Sequence, residues 1–133
     1  MKHIHLILAM LLPFAFADCY AQTGDVKTFS ILGDSYSTFE GYIPEGNACW
    51  YSTAPHGEND VTSVEQTWWH LFAKENGYEL LLNESYSGST ICNTGYDGAD
   101  YSDRAFTKRM FNVTAGDPDM IVIFGGTNDS WAD

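Results

Sequence analysis

The sequence contains little positive charge and no hydrophobic run long enough to span a membrane comfortably. Its 133 residues include 6 Lys and Arg against 18 Asp and Glu, which gives a formal net charge of −12 at pH 7. Nucleic acids and anionic membranes attract basic surfaces, so this balance argues against both as partners. An apolar stretch from Ile4 to Ala17 is too short for a stable membrane anchor.

That apolar stretch is instead typical of a secretory signal peptide. Lys2 precedes it, and small residues suited to cleavage occur at Ala17 and Ala21. We therefore predict a signal peptide over residues 1–21, a single mature domain over residues 22–133, and a secreted or periplasmic protein. The alternative is a buried N-terminal helix, which Pro13 would interrupt.

Cysteine is also scarce, and removal of the signal peptide leaves only Cys49 and Cys92. In an oxidising compartment these two residues could form a disulfide between loops, or they could remain as unpaired thiols in packed loops. The sequence leaves both possibilities open. Their wide spacing has no Cys-x-x-Cys character, which argues against a redox protein.

Three short apolar runs predict β-strands, and two amphipathic segments between them predict helices. The strands are expected at Thr28–Leu32, Tyr78–Leu82 and Met120–Phe124, and the helices from Thr62 or Ser63 to Asn76 and from Ser102 to about Asn112. A strand, helix, strand order favours a parallel sheet. The last run is continuously apolar, so we expect it to be the central strand, covered on both faces.

The spacing of apolar residues predicts which face of each helix packs on the sheet. For the first helix the expected face consists of Val64, Trp68, Leu71 and Phe72, and for the second of Phe106, Met110 and Val113. His70 should point away from the sheet, and Gly77 should end the first helix.

Each predicted strand ends in a polar loop that contains glycine, and the carboxyl ends of parallel strands meet at one edge of a sheet. Ser35 follows the first strand and is placed to act as a nucleophile. The backbone N–H of Ser35, the N–H of Gly88 and the side-chain amide of Asn128 could surround one oxyanion. The three loops therefore predict a site for acyl transfer.

A long segment between Tyr36 and Val61 is too rich in glycine and proline to be regular structure. Loops of this length in a compact domain are usually functional. Tyr36, Trp50 and Tyr51 are the candidate substrate-binding residues, because aromatic rings can stack on a sugar or line an acyl pocket. The alternative is that these rings only anchor the loop to the core.

The three loops resemble conserved blocks of the SGNH hydrolases, also called GDSL-type esterases and lipases. Gly33-Asp34-Ser35 resembles block I, and the loop of Gly88 resembles block II. The third loop, Gly126-Thr127-Asn128-Asp129, resembles block III. The resemblance covers Thr28 to Asp133 and implies a flavodoxin-like three-layer α/β/α sandwich with a parallel sheet. It implies Ser35 as nucleophile, Gly88 and Asn128 as oxyanion-hole residues, ester substrates that commonly are acylated carbohydrates or lipids, and no metal or organic cofactor.

The same resemblance implies a catalytic base in a fourth block, Asp-x-x-His, which this sequence does not contain after Asn128. His56, in the long loop, is a weak substitute. We therefore expect the N-terminal portion of a larger hydrolase domain, truncated after the third strand, that deacylates carbohydrate esters when complete. Two alternatives are a glycan-binding domain that is not catalytic and an inactive fragment without the catalytic His.

Overall fold

The computed structural model describes residues 25–54, 57 and 59–132. Its regular elements are β1 (Lys27–Gly33), α1 (Trp68–Asn76), β2 (Tyr78–Asn83), α2 (Phe106–Arg109) and β3 (Met120–Phe124). Short 3-10 turns lie at Ser35–Ser37, Val64–Gln66, Asn112–Thr114 and Asn128–Trp131. The predicted signal peptide and His56 lie outside the described residues.

The three strands form one parallel sheet in the order β2-β1-β3. Phe29 is the register partner of Leu80 on one side and of Met120 on the other. The predicted α/β fold with a parallel sheet is confirmed. The predicted position of the third strand is wrong, because among the strands of the described residues β1 is central and β3 lies at the edge.

The error has a physical cause in the composition of the two strands. From Phe29 to Gly33, β1 is completely buried although it contains Ser30, whereas β3 is entirely apolar and leaves Ile121 and Ile123 exposed. An apolar run shows that both faces of a strand need to be covered by other residues. It does not show which strands lie beside it in the sheet.

Helical segments cover both faces of the sheet, which makes three layers. Phe29 and Ile31 point to the α1 side, where they pack with Trp69 and Phe72. Leu32 points to the other side and packs with Phe106 of α2 and with Val113. Alternation along β1 thus divides the core in two, as expected for a central strand.

The first helix starts later than predicted, and its buried face agrees with the prediction except at Leu71. Residues before Trp68 form a 3-10 turn, in which the Gln66 side chain accepts hydrogen bonds from the backbone N–H groups of Thr62 and Ser63. Val64, Trp68 and Phe72 pack against the core as predicted. Leu71 is exposed instead, and the fully buried residue of α1 is Trp69. Gly77 ends the helix with a φ of 68°, as predicted.

The second helix is much shorter than the predicted Ser102 to Asn112 segment. Ser102 lies in a turn, where its N–H donates to the Asp100 carboxylate, and α2 contains only Phe106–Arg109. Phe106 is buried as expected, but Met110 is exposed and Arg109 is buried. Periodicity did not detect this break because polar turn residues compete locally with the helix for backbone hydrogen bonds.

Candidate active site

The turn that presents Ser35 depends on a glycine at the end of β1. A Cβ atom on Gly33 would lie 2.4 Å from Ser85 Oγ and 2.6 Å from Ser37 Cβ. No side chain fits there, so the loop after β2 packs directly against the backbone of β1. The Asp34 carboxylate then accepts from the N–H of Tyr36 at 3.1 Å and caps the 3-10 turn that holds Ser35.

The three predicted loops meet at one pocket of about 290 Å³ at the carboxyl end of the sheet. The pocket is lined by Ser35, Tyr36, Trp50, Ser87, Gly88, Tyr96 and Asn128. The structure thus brings together the serine, the glycine, the asparagine and two of the three aromatic candidates. Tyr51 does not line this pocket.

Ser35 and Gly88 each bring a backbone N–H group to the pocket lining. Within residues 25–54, 57 and 59–132, the N–H groups of Ser35 and Gly88 donate to no other group. Gly88 has a φ of 79°, which a residue with a side chain rarely adopts, and a Cβ there would meet no atom within 4 Å. Among the described residues, both N–H groups are therefore without an acceptor.

The amide of Asn128 is held at both ends and is nearly buried. Its Nδ2 donates to the carbonyl oxygen of Ser89 at 2.8 Å, and its Oδ1 accepts from the phenol of Tyr96 at 2.5 Å. Sequence reasoning missed Tyr96, which lies in a loop rich in Gly, Asn and Asp. The only available signal was that such loops often carry function.

Burial raises the pKa of Asp34, which is the residue before the candidate nucleophile. Its side chain is completely buried, and the hydrogen bond from the Tyr36 N–H and the nearby side chain of Thr127 oppose the rise. Within the described residues, no donor is hydrogen bonded to its Oδ2. The carboxyl group stabilises the turn of Ser35 by capping it, and Asp34 does not line the pocket.

Arg109 is a buried cation whose hydrogen bonds link the end of β1 to the loop after β2. Its guanidinium donates to the carbonyl oxygens of Glu84 and Gly33 and to Ser89 Oγ, and its Nε donates to the carbonyl oxygen of Arg104. Burial lowers the pKa of Arg109 to about 10, so it remains charged at neutral pH. Its hydrogen bonds hold the first and second loops at a fixed separation.

Tyr51 lines a second, neighbouring cavity of about 310 Å³. That cavity is lined by Tyr36, Tyr51, Val61, Gln66, Thr67, Trp68 and Phe124. Tyr36 lines both cavities. The long loop is tied to the site, because the Trp50 N–H donates to Thr38 Oγ1 and the Ser87 N–H donates to the Ala48 carbonyl, each at 2.8 Å.

The part of the chain that the structure describes supplies no base to Ser35. Ser35 Oγ has no hydrogen-bond partner there, and His70, the one histidine among the described residues, does not line the pocket. Cys49 and Cys92 are both exposed free thiols, so of the two possibilities the unpaired one is observed. No group of three or more potential metal ligands occurs among the described residues.

No described helix combines the length and apolar composition needed to cross a membrane.

Comparisons with known proteins point to one family. The sequence model of the GDSL-like lipase/acylhydrolase family matches residues 27–133. The crystal structure of a GDSL-like lipase from Bacteroides ovatus matches this chain with 60% sequence identity and a TM-score of 0.78. The match covers 81% of this chain and 52% of that protein. A GDSL-like lipase from Bacteroides uniformis is also 60% identical, with a TM-score of 0.74 over 80% of this chain and 50% of that protein.

The chain therefore spans about half the length of the solved structures that it matches. No curated protein matches it significantly.

Proposed function

This chain belongs to the GDSL-like lipase/acylhydrolase family, and we propose that it carries the nucleophile and the oxyanion hole of an ester hydrolase. The observation that supports this proposal is the convergence of Ser35, Gly88 and Asn128 on one pocket. Their three loops are far apart in sequence and follow three different strands. A serine used only to cap a turn would not require unpaired donors from two other loops beside it.

In the proposed reaction, Ser35 Oγ attacks the ester carbonyl and loses its proton to a base. The carbonyl oxygen becomes an oxyanion, which accepts hydrogen bonds from the N–H groups of Ser35 and Gly88 and from the amide of Asn128. Collapse of the tetrahedral intermediate expels the alcohol and leaves an acyl group on Ser35, and water then releases the acid. The base belongs to residues outside the described part of the chain.

We propose a carbohydrate ester as the substrate. The pocket of about 290 Å³ suits a small acyl group better than a long chain. Tyr36 and Trp50 stand at its wall with 47% and 42% of their surfaces exposed, and such rings can stack on a sugar. Tyr51 lines the neighbouring cavity, where it could contact a second part of the same substrate.

The test is hydrolysis of p-nitrophenyl acetate and of an acetylated saccharide by the complete expressed protein. Loss of the nucleophile should reduce turnover by about 10³-fold or more in Ser35→Ala. Ser102→Ala is the matched control, because it removes a hydroxyl from an exposed turn residue that does not line the pocket. Activity that survives in Ser35→Ala would show that another residue is the nucleophile.

A second candidate function is binding of a glycan without catalysis. It is favoured by the exposed aromatic wall and by the lack of a base beside Ser35 among the described residues. This function predicts saccharide binding, measured by calorimetry, that Ser35→Ala leaves unchanged and Trp50→Ala weakens. Hydrolysis that depends on Ser35 would exclude it.

We also propose that the protein is exported with residues 1–21 removed. Lys2, the apolar stretch after it and the small residues near Ala21 support this proposal. N-terminal sequencing of the protein recovered outside the cytoplasm should begin close to residue 22. A mature protein that still begins at Met1 would contradict export by cleavage.

A further inference from the structure

We propose that Tyr96 is a positioning residue that fixes the Asn128 amide as a donor to the oxyanion. This inference rests on the proposed function, because it assigns a role to Tyr96 within the same pocket. Tyr96 lies 32 positions from Asn128 in the sequence, and its phenol is hydrogen bonded to the Oδ1 atom of Asn128 at 2.5 Å. Both side chains line the pocket.

The direction of this hydrogen bond follows from the contact at the other end of the amide. The Ser89 carbonyl oxygen, 2.8 Å from Asn128 Nδ2, can only accept. The amide nitrogen must therefore face Ser89, and the amide oxygen must face Tyr96. A phenol can donate or accept, and here it has to donate.

This arrangement leaves one amide hydrogen of Asn128 for the pocket. The nitrogen carries two hydrogens, and within the described chain it donates only to Ser89. Without Tyr96, the buried Oδ1 would lack a donor. Rotation of the Asn128 amide would then turn Oδ1 toward the pocket and place its partial negative charge where the oxyanion forms. A donor on Oδ1 also polarises the amide and strengthens its remaining N–H as a donor.

The Tyr96 ring is itself held in place from two sides. Its backbone pairs with Ala132, directly after the turn that contains Asn128, and its ring makes an edge contact with Tyr101 at 5.9 Å. Burial raises the pKa of Tyr96, so the phenol keeps its proton at neutral pH. These contacts mean that loss of the hydroxyl alone should leave the loop in position.

The kinetic test compares Tyr96→Phe with Tyr101→Phe in the complete expressed protein. Tyr101 is the matched control, since it lies in the same loop and its hydroxyl makes no hydrogen bond to any described residue. We expect Tyr96→Phe to lower kcat about tenfold, as for loss of one hydrogen bond, with KM within about twofold. Tyr101→Phe should change neither value.

A second measurement does not depend on turnover. In ¹⁵N–¹H spectra, the side-chain NH₂ signals of Asn128, assigned by their loss in Asn128→Ala, should shift in Tyr96→Phe and not in Tyr101→Phe. Unchanged signals in Tyr96→Phe would overturn the inference, as would unchanged kcat in a variant that folds normally. Activity that persists in Ser35→Ala would instead reject the proposed function, so the two failures are distinguishable.

Discussion

The protonation of one buried carboxyl group, that of Asp34, makes the folding free energy depend on pH. Asp34 supports the turn that presents Ser35, and its Oδ1 accepts from the Tyr36 N–H while its Oδ2 is buried. Burial raises its pKa, so the folded protein holds a proton that the unfolded chain releases at lower pH. Ionisation of Asp34 therefore costs folding free energy, whereas an amide at this position could still cap the turn.

We predict that Asp34→Asn removes a pH dependence of stability. Between the ordinary carboxyl pKa and the higher folded pKa, the folded state binds more protons, so wild-type stability falls as pH rises. The unfolding free energy of wild type, measured relative to Asp34→Asn by urea denaturation, should therefore decrease from about pH 4 upward and then level off. A difference that increases with pH would contradict the raised pKa.

At the scale of the elements, Arg109 holds the loops after β1 and β2 in register. It donates to Gly33 O, to Glu84 O and to Ser89 Oγ, and the carbonyl of Ser89 in turn accepts from Asn128. A single buried side chain thus connects the loop of the candidate nucleophile with the loop that orients the candidate oxyanion donor.

We predict that Arg109→Met destabilises the protein by about 2–4 kcal/mol, because it leaves buried acceptors without donors. Arg109→Lys should recover only part of this loss, since one ammonium cannot reproduce the planar set of guanidinium donors. Lys108→Met is the control at the exposed neighbouring position and should change stability little. Urea denaturation measures all three, and equal stability of Arg109→Met and wild type would show that the loops do not depend on Arg109.

Arg109 also illustrates what the sequence could not predict. Local patterns in the sequence predict the three strands, the end of the first helix at Gly77 and the three polar loops. The structure has each of these features where it was expected. The burial of Arg109 and the contact of Tyr96 with Asn128 depend on residues 20 or more positions away. Local periodicity contains no information on such contacts, and for the same reason it misplaced β3 in the sheet.

At the scale of the whole molecule, the described residues leave the β3 edge of the sheet apolar and exposed. Ile123 is 68% exposed on β3, and with Ile91 and Met110 it lines an apolar groove of about 220 Å³ over Leu32 and Phe106. An edge strand of this kind offers unpaired backbone groups next to apolar side chains. Residues 25–133 on their own should consequently associate through β3.

We predict that Ile123→Lys reduces this association, because a charge on an edge strand opposes pairing with another chain. Val26→Lys is the matched control, since Val26 is 56% exposed, precedes β1 and adds the same charge elsewhere. Sedimentation velocity of residues 25–133 should show less association for Ile123→Lys than for wild type or Val26→Lys. Equal association of the three proteins would mean that β3 is not the contact.

The most direct test of the account is covalent labelling of the complete protein with a fluorophosphonate, followed by peptide mass spectrometry. Activated serine nucleophiles react with such probes, whereas ordinary serines do not. The account predicts one adduct on the peptide that contains Ser35, absent in Ser35→Ala and retained in Ser102→Ala. An adduct on a different residue, or no adduct on a folded protein, would contradict the assignment of Ser35 as the nucleophile.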